Sequence, residues 1–270
     1  MKLFYRKYGK GAPFVIVHGL YGASDNWVSV AKVLADYFEV YVIDQRNHGH
    51  SPHSEEHNYK LLTLDLLEFL DTHEIQKAIF LGHSMGGKTV MFFAAEYPER
   101  VNRLIIADIA PKSYIQLHEK QQRSLNHDLI MDAMLSVDFS KVQKRENVEE
   151  QLSASIPEPR IRQFLLKNLH RNKNNTFEWI LNLKALKNNL YEILDGLNVE
   201  NFKNGYGVVG FPTLFLKGGN SDYITNEDDK LIRTIFTYAE IETIPNAGHW
   251  LHAEQPEIFV KKILEFIFGI

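Results

Sequence analysis

Short runs of core-forming residues separated by amphipathic stretches set the pattern of this chain. Phe14 to His18, Val40 to Asp44, Ala78 to Leu81, Leu104 to Ala107, Thr213 to Leu216 and Ile241 to Ile244 are largely apolar and β-branched, which predicts strands covered on both faces. Between them Tyr59, Leu62, Leu66, Phe69 and Leu70 fall on one helical face, and Phe259, Ile263, Phe266 and Ile267 fall on another near the C-terminus. Alternation of this kind predicts an α/β fold built on a mostly parallel, doubly wound sheet. It breaks after Pro111. From Ser113 to about Gly205 the periodicity is helical, with Phe164, Leu165, Leu169, Trp179, Ile180 and Leu183 as apolar faces. The expected organisation is a core of residues 1–112 and 206–270 with a helical lid of residues 113–205 inserted into it.

Composition narrows the chemistry. The longest strong apolar runs are far too short to span a bilayer, and Met1 to Lys10 alternates polar and apolar residues without a secretory signature, so the expectation is a soluble, cytoplasmic protein. With 0 cysteines there is no thiolate nucleophile and no disulfide framework. A net charge of -4 is a mild acidic balance, whereas a nucleic-acid footprint needs a basic face, so no nucleic-acid partner is expected. Lys and Arg nearly balance Asp and Glu within the insert, so it does not attract polyanions either.

One constellation carries reactive groups. Gly82-His83-Ser84-Met85-Gly86 fits G-x-S-x-G directly after an apolar strand and before a helical pattern. A serine on so sharp a bend needs small neighbours, because side chains at Gly82 or Gly86 would collide with adjacent strands and the helix. His249, in Asn246-Ala247-Gly248-His249-Trp250 after the last strand, is the expected general base, and a histidine base implies a rate that rises with pH near ~6.5. His252 competes, but its place near the final helix suits structural hydrogen bonds. The acid is Asp108, ending the strand Leu104 to Ala107, or Asp222, in Gly218-Gly219-Asn220-Ser221-Asp222; both keep the order serine, acid, histidine. G-x-x-D counted from Gly218 lands on Ser221, which shifts the choice towards Asp108. Adjacent strand ends lie only ~4.8 Å apart, so an acid one strand nearer the nucleophile still reaches the ring. The N–H groups of Leu20, in the His18-Gly19-Leu20 turn, and of Met85 are the expected oxyanion donors. Trp250 and Tyr114 are expected to line the acyl pocket.

Together with Asp44-Gln45-Arg46-Asn47-His48-Gly49-His50-Ser51, these residues resemble the α/β-hydrolase superfamily. The loop Arg46-Asn47-His48-Gly49, the stretch Gly82 to Lys88 and Gly218-Gly219-Asn220-Ser221 look more narrowly like the bacterial YbfF-type esterases and their mitochondrial relatives. That resemblance implies an eight-stranded core with a helical cap following its sixth strand. It also implies hydrolysis of short-chain ester or thioester acyl substrates without a cofactor, and it favours Asp108 over Asp222. Physiological substrate, acyl length and oligomeric state follow from pocket and surface shape rather than from any of these motifs.

Two other functions fit parts of the pattern. Gly82 to Thr89 also satisfies G-x-x-x-x-G-K-[ST], the phosphate-binding loop, with Leu104 to Asp108 imitating a strand that ends in a magnesium-binding aspartate. At least two strand–helix units precede Ser84, however, and that reading leaves His249 and His18-Gly19 without a role. A small-molecule receptor on the hydrolase fold, without useful turnover, is the other. His48, His50, His53 and His57 cluster in one loop but lack the thiolates or matched carboxylates of a metal site, so no metal is expected there. Asp44 and Arg46 are expected to pair and brace that loop.

Overall fold

The six predicted strands form one sheet, joined by a seventh at its edge, in a computed structural model that describes residues 1–120, 126–202 and 207–269. The chain runs through β1 (Tyr5–Tyr8), β2 (Ala12–Val17), α1 (Val28–Leu34), β3 (Phe38–Ile43), α2 (Tyr59–Thr72), β4 (Ala78–His83), α3 (Met85–Glu96) and β5 (Val101–Ala107). An insert follows, containing α4 (Ile115–Glu119), α5 (His127–Leu135), α6 (Arg145–Ser153), α7 (Pro159–Leu165), β6 (Leu169–Arg171), β7 (Phe177–Trp179), α8 (Leu183–Asn188) and α9 (Leu190–Leu194). The core resumes with β8 (Thr213–Gly218), α10 (Asp229–Ile235), β9 (Ala239–Ile244), α11 (Leu251–Glu254) and α12 (Pro256–Phe268).

Strand order is β1-β3-β2-β4-β5-β8-β9, with β1 antiparallel to β3 and the other pairings parallel. Apolar side chains bury on both faces. Val15, Val17, Phe80 and Ile106 join the cluster that holds α2 and α3, while Phe14, Ile16, Leu81 and Ile105 pack with Trp27, Leu34, Phe259 and Ile263 beneath α1 and α12. Such two-sided burial is what continuous apolar strands require.

Among the described residues the core sheet has seven strands rather than the expected eight, so the insert leaves after the fifth strand, not the sixth. The segment ahead of β1 is held by the loop after β3 instead of pairing as another strand. Phe4 N donates to Ser51 Oγ at 2.8 Å, and Phe4 O accepts from Asp44 N at 2.9 Å. β1 itself is half-exposed, which is why its alternating residues carry no buried-strand signal. The insert is not wholly helical. Leu169 and Trp179 lie opposite each other in an antiparallel hairpin, closed by Asn172, whose side-chain oxygen accepts from the N–H groups of Asn174 and Thr176. The core–insert boundary expected between residues 205 and 206 lies outside the described residues.

Candidate active site

β4 ends at His83, and the chain turns into α3 through Ser84, whose backbone adopts φ 53 and ψ -121. A non-glycine residue in that region stores strain that only tight surroundings maintain. The surroundings are tight: a Cβ on Gly82 would lie 2.4 Å from Gly86 O, and one on Gly86 would lie 2.3 Å from Val17 O. Neither position admits a side chain, as the sequence pattern predicts.

Three strand ends converge on this bend. Asp108 follows β5, itself at a positive φ of 52, and its N–H donates to Leu216 O at 2.8 Å, locking it to the adjacent β8. Its buried carboxylate accepts from Gly218 N at 2.9 Å through Oδ1, and from Ser221 Oγ through Oδ2. His249 Nδ1 donates to the same Oδ2 at 2.8 Å. A carboxylate only accepts, so Nδ1 carries a proton, and in the neutral ring the lone pair is then on Nε2. Tyr223 stacks on the imidazole with ring centroids 3.8 Å apart, and His83 Nε2 donates to His249 O at 2.7 Å, so both plane and position of the ring are fixed. Asp222 lies on the exposed side of the same turn.

The His18–Gly19 turn sits over the bend. It is tied to the serine helix through a buried relay in which His18 Nε2 accepts from Gln45 N, Gln45 Nε2 donates to His18 O, and Thr89 Oγ1 donates to Gln45 Oε1 at 2.8 Å. Leu20, next in that turn, lines two small cavities on either side of Ser84. Met85 is the first residue of α3, where an N–H has no partner within the helix and the helix dipole is positive. One cavity, of about 20 Å³, is bordered by Ser84, His249, Trp250, Phe164 and Leu165; the other, of about 30 Å³, by Ser84, Lys88, Tyr114, Leu194 and Tyr223. Tyr114 is buried, its hydroxyl accepting from Ala110 N and donating to Tyr223 O. Wider cavities lie elsewhere, between α1 and α12 and outside Trp250.

Several expectations change. Arg46 does not pair with Asp44. It forms a two-pronged pair with buried Asp65 on α2, at 2.6 and 2.9 Å, because both Asp44 oxygens are engaged by the N–H groups of Ser24 and His50. His252 stacks on Trp27 at 4.0 Å, and its buried Nδ1 makes no hydrogen bond among the described residues, so its contribution is packing. Burial holds its pKa well below the ordinary value. The loop histidines have separate partners: His48 Nδ1 bonds Arg46 O, His53 Nε2 bonds Ile180 O, and His57 Nε2 lies 3.4 Å from Met85 Sδ. Lys88 and Thr89 are not available to a phosphate either, since Thr89 bonds Gln45 and Lys88 donates to backbone carbonyls beneath the insert. Of the groups around the bend, the clasp of Ser221 on Asp108 and the Tyr223 stack are what motif reading missed. In the sequence Ser221 stands out only as the residue at the G-x-x-D acid position, and Tyr223 carries no local signal.

A sheet of this order, with a serine after β4, a carboxylate after β5 and an imidazole after β9, defines a class, and the comparisons agree with it. A family model described as alpha/beta hydrolase fold matches residues 12–256, and the chain belongs to that family. It is 37% identical over 265 residues to the sn-1-specific diacylglycerol lipase ABHD11 of Danio rerio, covering 96% of this chain and 79% of that one. To the esterase YbfF of Escherichia coli K12 it is 34% identical over 258 residues, covering 95% and 93%. Among solved structures, a marine microorganism esterase superposes with a TM-score of 0.91 at 45% identity, covering 98% of this chain and 99% of that one.

Proposed function

We propose that the chain is a serine esterase that cleaves small carboxylic ester or thioester substrates through an acyl-enzyme. Ser84 Oγ attacks the carbonyl carbon while His249 Nε2 takes its proton, and the N–H groups of Leu20 and Met85 stabilise the oxyanion. The leaving group departs with the proton from the imidazolium, and water then repeats the sequence to release the acid. Asp108 keeps the ring in the required tautomer and does not itself exchange the proton. The observation that carries this reading is the 2.8 Å bond from His249 Nδ1 to Asp108, at the edge of the cavity that the strained Ser84 also borders. The relatives' names, esterase and lipase, support the same chemistry.

Size supports a short acyl group. A water needs roughly 10–15 Å³ of such space, so the cavities of about 20 and 30 Å³ beside Ser84 take about one to three groups of that size each. Residues 113–205 act as the lid that shapes this space, through Tyr114, Phe164 and Leu165. The test is a series of p-nitrophenyl esters from acetyl to decanoyl. Steady turnover that falls with acyl length and vanishes in Ser84→Ala is expected. A stoichiometric burst without turnover would point to a receptor instead.

A further inference from the structure

Lys88, buried on α3, borders the cavity of about 30 Å³ beside Ser84, and its ammonium is held by backbone oxygens. One helical turn beyond Ser84, its N–H donates to Ser84 O at 3.0 Å. Its Nζ donates to Lys112 O at 2.6 Å, to Leu194 O at 3.3 Å and to Asp195 O. The ammonium also lies 4.7 Å from the centroid of the Tyr114 ring and 6.0 Å from that of Tyr59. Lys112 precedes the insert and Leu194–Asp195 closes its last helix, so one cation holds both roots of the insert. The roots touch each other as well: Tyr114 N donates to Leu194 O at 2.8 Å, Leu197 N donates to Pro111 O at 2.8 Å, and a Cβ on Gly196 would lie 2.3 Å from the Lys112 carbonyl carbon.

We infer that Lys88 is a positioning residue that clasps the two roots of the insert to the nucleophile helix and thereby sets the depth of the acyl pocket. This rests on the esterase reading above. Burying an ammonium is costly unless its protons are taken, and here three carbonyl oxygens and a tyrosine face receive it. A compact ammonium suits three converging oxygens; a planar guanidinium presents its donors in a fixed fork and does not. The groups it anchors, Tyr114 and Leu194, border the cavity of about 30 Å³ beside Ser84. If the clasp is released, that wall is free to retreat and the restriction on acyl length relaxes.

The experiment compares kcat/KM for p-nitrophenyl acetate and octanoate in the wild type, Lys88→Met and Lys88→Arg, each below its own melting temperature. The acetate-to-octanoate ratio is expected to fall at least tenfold in both variants, mainly through a lower KM for octanoate. A lysine that served stability alone would lower the melting temperature and leave the ratio unchanged, and that result overturns the inference. Lys88→Arg keeps the charge and decides the question should the Met variant fail to fold. Failure of the esterase reading would show separately, as absence of turnover in the wild type.

Discussion

Ser221 Oγ donates to Oδ2 of Asp108, the same carboxylate oxygen that accepts the Nδ1 proton of His249. The turn after β8 therefore contributes a hydroxyl that orients a carboxylate standing at the end of β5. Removing it in Ser221→Ala deletes one hydrogen bond to a charged acceptor while Gly218 N still holds Oδ1, so kcat should fall about tenfold, equivalent to ~1.4 kcal/mol. Steady-state kinetics on a short ester checks this; a loss as large as that of Asp108→Asn would mean that Ser221 itself takes part in the chemistry.

The acid assignment has its own pair of variants. Asp108→Asn should lower kcat by about 10³–10⁴-fold, because the amide stabilises the wrong imidazole tautomer. Asp222→Asn, on the exposed side of the turn, should stay within a few-fold of wild type. The reverse ranking would reassign the acid.

Buried histidines make stability sensitive to acid. Burial lowers the pKa of His18, His48 and His252, and brings those of His57 and His83 down to about 3. Each resists protonation more in the folded chain than in the unfolded one, where it titrates near ~6.5, so below that pH the unfolded chain binds more protons. Stability is thus complete above about pH 6.5 and falls as pH drops, by up to ~1.4 kcal/mol per pH unit for each histidine. Melting temperature should drop by about 10 °C or more between pH 7.5 and 5.0, given roughly 2–4 °C per kcal/mol for a chain of this size. A flat profile over that range would contradict the burial of these rings.

Arg46 and Asp65 form a pair with side-chain exposures of 7% and 3%. Arg46→Met leaves the buried Asp65 carboxylate with only the Met1 ammonium, at 3.0 Å, as cationic partner, and should cost about 2–3 kcal/mol, short of the ~3–5 kcal/mol of a fully unpaired buried charge, read from the urea midpoint. A loss below about 1 kcal/mol would show that the pair behaves as if exposed.

Much of this arrangement is legible in the chain. Ser84 and His249 stand out because the bend demands glycine on both sides and the histidine follows the last strand of the sheet. The five interior strands stand out because both their faces are apolar, and β9, the far edge, stands out by alternating Ala239, Ile241 and Thr243 with Glu240, Glu242 and Ile244. What escapes reading depends on three-dimensional register. β1 is a half-exposed edge, and β6 and β7 are only three residues each, too short for any periodicity. The partnership of Ser221 with Asp108 exists because Ala107 pairs with Leu216 across β5 and β8, and Arg46 reaches Asp65 because α2 packs beneath the loop. None of these neighbours is adjacent in sequence.

The most direct test of the central claim is intact-mass and peptide-mapping analysis after incubation with a fluorophosphonate. One adduct on Ser84, formed rapidly in the wild type and lost or strongly slowed in His249→Ala, is the predicted result. An adduct on another residue, or labelling of Ser84 at an unchanged rate without the imidazole, would contradict it.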